Sequence, residues 1–156
     1  MGEYSFFFND TATTEIYTLS LHDALPIFTA AELADPLISG PNANQDHDGL
    51  TNFAEFALGT APDDSITRAM LPIGSVVEDG GQSYLALTYS EWLGALGVTY
   101  EVERSTDLVD WQSGPAALVE VGAAIDNGDG TITRTFRSTT PLTNQLRQFM
   151  RLKMSN

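Results

Sequence analysis

The stretch with the strongest chemical signature is Asn44-Gln45-Asp46-His47-Asp48-Gly49-Leu50-Thr51-Asn52-Phe53-Ala54-Glu55. Oxygen-bearing side chains stand at positions 1, 3, 5 and 9 of this stretch, glycine at 6 and glutamate at 12, the spacing that wraps six to eight hard oxygens round one Ca2+. In such a loop Asp46 and Asp48 supply charged oxygens, and Leu50 supplies its main-chain carbonyl. Asn52 is a direct or water-mediated ligand, and Glu55 is a bidentate carboxylate from the following helix. Gly49 permits the sharp turn. Asn44 is the departure, a neutral amide where aspartate is usual. Three carboxylates still face the ion. With that substitution and no second loop to pair with, the expected dissociation constant is about 10⁻⁴ to 10⁻³ M, the range of extracellular modules. Magnesium is disfavoured because it keeps its waters and prefers a tighter octahedron. The competing reading is an ion-free Asp-Gly turn leading into a helix; the number of matching positions favours calcium.

Other chemistry-bearing residues read as ordinary ones. His47 is expected to face solvent, because a chain with two histidines and no cysteine cannot build a typical zinc shell. Ser20, His22 and Asp23 have the side-chain types of a hydrolytic triad, but triad members converge from separate parts of a fold. Glu101 and Glu103 alternate onto one side of a strand, so both are expected to be solvated rather than to form the acid–base pair of a glycosidase. Asp126-Asn127-Gly128-Asp129-Gly130 lacks a closing glutamate and reads as a hairpin turn. Trp92 and Trp111, with Tyr84, Tyr89 and Tyr100, could make a sugar-binding platform. Tyr89 and Tyr100 lie in phase with Leu87 and Val102 and should point inward, Trp111 reads as a core plug, and Trp92 is the candidate for exposure. No constellation for catalysis is left, so the chain is not expected to be an enzyme.

Charge narrows the partners. Against 21 Asp and Glu stand seven Lys and Arg, a formal charge of −14, although charged residues make up only 18% of the chain. Such a surface repels phosphate backbones and anionic lipid, which argues against nucleic acid and membrane surfaces, and it attracts divalent cations. No apolar run reaches the roughly 18 residues of a membrane span.

The elements that must position the loop follow from periodicity. Thr29-Ala30-Ala31-Glu32 fits a capping box that opens a short helix, ended by Pro36 and by Gly40-Pro41. From Leu50, the apolar residues Leu50, Phe53, Ala54, Ala57 and Leu58 fall at helical spacing, with Gly59 at the left-handed cap. The loop thus joins two short helices. Beyond Pro62 the pattern becomes alternation: Leu85, Leu87 and Tyr89 on one face, and Val98, Tyr100 and Val102 on another. Further strand-like runs occur at Ala117 to Val121, Thr131 to Arg137 and Gln148 to Met154, with Leu71 to Val77 weaker. Their spacing predicts a mainly β chain: an antiparallel β-sandwich of immunoglobulin/fibronectin-like type over residues 65–156, preceded by a helix-loop-helix calcium-binding segment over 28–64.

Two resemblances bear on organisation. Residues 9–27, Asn-Asp-Thr-Ala-Thr-Thr-Glu-Ile-Tyr-Thr-Leu-Ser-Leu-His-Asp-Ala-Leu-Pro-Ile, look like the in-frame translation of a sequencing adapter, and Phe6 to Phe8 look like translated poly-T. Residues 1–27 are therefore read as an assembly artefact, with the native upstream sequence and any signal peptide missing. Residues 40–64, Gly-Pro-Asn-Ala-Asn-Gln-Asp-His-Asp-Gly-Leu-Thr-Asn-Phe-Ala-Glu-Phe-Ala-Leu-Gly-Thr-Ala-Pro-Asp-Asp, resemble the thrombospondin type 3 or dockerin-like calcium segments of large secreted bacterial proteins. Val98-Thr-Tyr-Glu-Val-Glu-Arg-Ser-Thr-Asp-Leu-Val-Asp-Trp111 and Phe149-Met-Arg-Leu-Lys153 resemble the small β-module that often follows such a segment. Ala61 stands where that family often has aspartate, and dockerins carry two loops, so docking to a cohesin is not implied. The resemblance implies a non-catalytic, calcium-binding C-terminal structural or adhesion module. Its setting would be a larger secreted or cell-surface polypeptide that contacts cell-surface polysaccharide or protein. The alternative is a carbohydrate-binding sandwich in which calcium is merely structural, with Trp92 carrying the sugar contact.

Overall fold

Alternating apolar residues leave each strand with one face to bury, and this chain buries them by stacking two antiparallel sheets. The computed structural model describes residues 28–65, 71–145 and 147–156. The adapter-like stretch, with Ser20, His22 and Asp23, lies outside the described residues. The strands are β1 (Ile73–Asp79), β2 (Gln82–Trp92), β3 (Thr99–Ser105), β4 (Leu118–Glu120), β5 (Ile125–Asp126), β6 (Thr131–Ser138) and β7 (Phe149–Ser155).

One sheet runs β1-β2-β6-β4, with β5 also on β6, and the other is the pair β3-β7. Gly80 and Gly81, at φ 57° and 76°, turn β1 back into β2, and a two-residue hairpin of this hand requires positive φ at both. β2 is central: Ala86 to Thr88 pair with β1 on one side and β6 on the other. The outer edge of β6 is shared, β4 along Phe136 to Ser138 and β5 along Ile132 and Thr133. Asn127 to Gly130 form the expected hairpin between β5 and β6.

Between the sheets lie Leu87, Tyr89, Val102, Ala117 and Leu118, with Tyr100, Phe136, Met150 and Leu152 packed against them. Tyr89 stacks at 6.2 Å on Tyr100 across the sandwich and at 6.3 Å on Phe136 within its own sheet. The inward phase of both tyrosines holds. Two other expectations fail. Glu103 is only 8% exposed, because the β3–β7 register sets it opposite Arg151, whose Nε lies 2.7 Å away; Glu101 pairs more openly with Lys153. Trp111 does not plug the core: Arg151 lies over its ring at 4.0 Å, on the face that carries Glu103. Alternation fixes the face of a residue but not what covers that face.

Three short helices precede the sheets: α1 (Ala30–Leu33), α2 (Pro36–Ser39) and α3 (Asn52–Leu58). Thr29 and Glu32 make the reciprocal bonds of a capping box at α1. Pro36 does not end the helical stretch. It occupies the first turn of α2 while Asp35 caps it, accepting the Leu37 N–H at 2.9 Å, since proline loses no needed donor there. Helix α3 begins later than its apolar spacing predicts: Thr51 is the cap, Leu50 precedes it, and Gly59 ends the helix in the left-handed conformation. No helix among the described residues is long and apolar enough to cross a membrane.

Helix α3 packs where β2 ends and β3 begins. Ala57 and Leu58 are fully buried, Phe56 meets Trp92 edge to face at 5.4 Å, and the Tyr100 hydroxyl donates to the Ala57 carbonyl. Burial pushes that hydroxyl up to about 12, so it stays protonated and donating. Tyr100→Phe should therefore cost about 1 kcal/mol, read in urea unfolding as a lower midpoint at unchanged slope.

Candidate metal centre

The loop between α2 and α3 is held by its own backbone before any ion is considered. The Asn52 N–H donates to the Ala43 carbonyl at 2.8 Å and the Phe53 N–H to Pro41 at 3.0 Å. The Asn52 side-chain amide donates to the carbonyls of Ile38 and Gly40, which staples the end of α2 to the start of α3. Within the loop, one Asp46 oxygen accepts the Asp48 N–H and one Asp48 oxygen accepts the Leu50 N–H at 2.7 Å. His47 and Gly49 take positive φ, 63° and 100°, which lets the chain curl. His47 is exposed, its Nδ1 2.9 Å from the Gln45 carbonyl.

This curl brings three acidic side chains together. Ligand oxygens of Asp46, Asp48 and Glu55 lie within 4.8 Å of one another, and among the described residues no other three His, Asp or Glu side chains converge in this way. Glu55 is wholly buried, and neither of its carboxylate oxygens has a hydrogen-bond partner among the described residues. The same holds for Asn44 Oδ1, Gln45 Oε1, Asp46 Oδ2 and Asn52 Oδ1. Buried oxygens without partners are costly, and a buried carboxylate most of all, so this arrangement calls for a cation or a proton. Burial, followed by the charges of Asp46 and Asp48 and then of Asp63 and Asp64, pushes Glu55 up to about 7.

All of the clustered donors are hard oxygens, a set that suits an alkaline-earth ion rather than zinc or copper. Asp46, Asp48 and Glu55 converge as the spacing predicts. Asn44 and Asn52 each have a buried amide oxygen without a partner among the described residues, and Leu50 is fastened through its N–H to Asp48. The stapling by Asn52 was not legible from loop position 9. Nor was the buried Gln45 oxygen, because position 2 carries no ligand in the spacing rule.

Trp92, the candidate for exposure on which the carbohydrate-binding alternative relies, is half-buried against Phe56. Tyr84 lies under the Arg137 guanidinium, 4.2 Å from the ring centre. No protein-family model matches the chain, and no curated protein or solved structure matches it either.

Proposed function

We propose that this chain is a non-catalytic calcium-binding module of a secreted or cell-surface protein, of thrombospondin type 3 or dockerin-like kind. In it, one Ca2+ orders the acidic loop and fixes the helices against an immunoglobulin/fibronectin-like sandwich. The observation that carries this reading is Glu55, a carboxylate with no exposed surface and, among the described residues, no hydrogen-bond partner for either oxygen, set against two aspartates. A divalent ion satisfies all three at once, whereas a proton on Glu55 relieves only one charge. Asn44, Asp46, Asp48, Asn52 and Glu55 supply side-chain oxygens, and Leu50 supplies its carbonyl. The carbohydrate-binding alternative is less well supported, because the ring it relies on is engaged by Phe56.

Titration calorimetry with calcium and sensitised terbium emission test the proposal. The expected result is one ion per chain with a dissociation constant of about 10⁻⁴ to 10⁻³ M. Asp46→Asn and Asp48→Asn should each weaken binding by roughly tenfold, as about 1.4 kcal/mol of lost attraction would give. If both methods stay silent on the full chain, the assignment is wrong.

A further inference from the structure

Helix α3 is seven residues long, too short to persist in water unaided. Its order must come from what holds it on either side. On the loop side is Glu55, clustered with Asp46 and Asp48. On the sandwich side are Phe56, Ala57 and Gly59. Phe56 stands at 88° to the Trp92 ring, and Ala57 accepts the Tyr100 hydroxyl. A Cβ on Gly59 would come 3.0 Å from the indole, and one on Gly94 only 2.5 Å from it. Both glycines therefore make room for the ring, one on the helix and one in the turn after β2. The far end of this seat is tied to the β5–β6 hairpin, where the Leu93 N–H donates to the Gly130 carbonyl at 2.9 Å.

We propose that Trp92 is a calcium-operated latch between the segment 28–64 and the sandwich. This inference rests on the calcium reading above. With the ion in place, Glu55 is pinned to the aspartates, α3 keeps its orientation and the indole is covered. Without the ion, three carboxylates within 4.8 Å of one another drive the loop open. Helix α3 then loses its hold on the loop side and releases the ring. The core of Leu87, Tyr89, Val102 and Leu118 draws on no loop residue, so the sandwich outlasts the release. Calcium thereby decides whether the two parts move as one body or two, and Trp92 acts as a positioning residue.

The test uses the ¹⁵N-labelled full chain in millimolar calcium and in EDTA, with calorimetry alongside. The chain has two tryptophans, and Trp92→Phe assigns their indole N–H resonances. In EDTA the Trp92 resonance should shift and exchange faster with water, while the Trp111 resonance and the paired amides of β3 and β7 keep their positions and protection. Gly94→Ala, which crowds the indole, and Phe56→Ala, which removes its edge contact, should each retain the heat of calcium binding and lose the Trp92 response. An unchanged Trp92 resonance with calcium heat present overturns the latch and leaves the calcium reading intact. A Trp92 response that persists in both variants overturns the latch as well. Loss of β3–β7 protection together with the Trp92 shift overturns the independence of the sandwich and hence the latch. Absence of calcium heat removes both the reading and the latch.

Discussion

In about 10 mM calcium the chain should unfold roughly 3 to 10 °C higher than in chelator, and Glu55→Gln should abolish that difference. An ion that binds only the folded form at ten to a hundred times its dissociation constant contributes about 1.4 to 2.7 kcal/mol, and each kcal/mol moves the midpoint of a chain this size by about 2 to 4 °C. Glutamine keeps the shape of a side chain that has no exposed surface, so the variant removes a charged ligand without opening a cavity. Glu55→Ala should lose the response too, but with an added packing cost in both conditions. Differential scanning calorimetry of the three proteins in calcium and in chelator makes the comparison. Equal midpoints for the parent chain in the two conditions would falsify the calcium assignment.

The second large effect is in pH, and its sign separates the ion-free from the ion-bound form. Glu55 is pushed from 4.5 up to about 7 by burial and by its acidic neighbours. Between these values the folded ion-free chain, for as long as its loop stays closed, holds a proton that the unfolded chain has released. The stability this contributes is present at low pH and is lost as pH rises through about 7. In chelator, stability at pH 5.5 should therefore exceed that at pH 8 by about 1 to 2 kcal/mol, allowing for solvent screening near the loop. Glu32, Asp107 and Asp129 are held below their ordinary values by hydrogen bonds; their contributions change only at lower pH. Calcium binding must expel the Glu55 proton, so apparent affinity should rise over the same window and level off above it. Urea unfolding at the two pH values, in chelator and in saturating calcium, reads both trends. A chelator curve that rises with pH, or one that Glu55→Gln leaves unchanged, contradicts the role given to this carboxylate.

Much of the fold is legible because its signals are local. The Thr29–Glu32 capping box, the left-handed Gly59, the hairpin at Asn127 to Gly130 and the alternation of β2, β3, β6 and β7 depend on a few neighbouring residues each. Where the reading fails, a distant partner intervenes. Glu103 is covered because register brings Arg151 opposite it, 48 residues further on. Trp111 lies under that same arginine, and nothing within a strand's length of either residue signals the pairing. Pro36 is different: one proline can end a helix or start one, and Asp35 decides by capping the turn.

The spacing of oxygens from Asn44 to Glu55, the strand and helix periods and the scarcity of cations are properties of chain order and composition, and so are readable without a fold. It takes the folded chain to show that Glu55 is sealed from water with both oxygens unpartnered among the described residues, that Asn52 ties α2 to α3, and that Trp92 sits between Phe56 and Gly94. Burial and partnering depend on residues brought together from far along the chain, and no window of neighbours contains them.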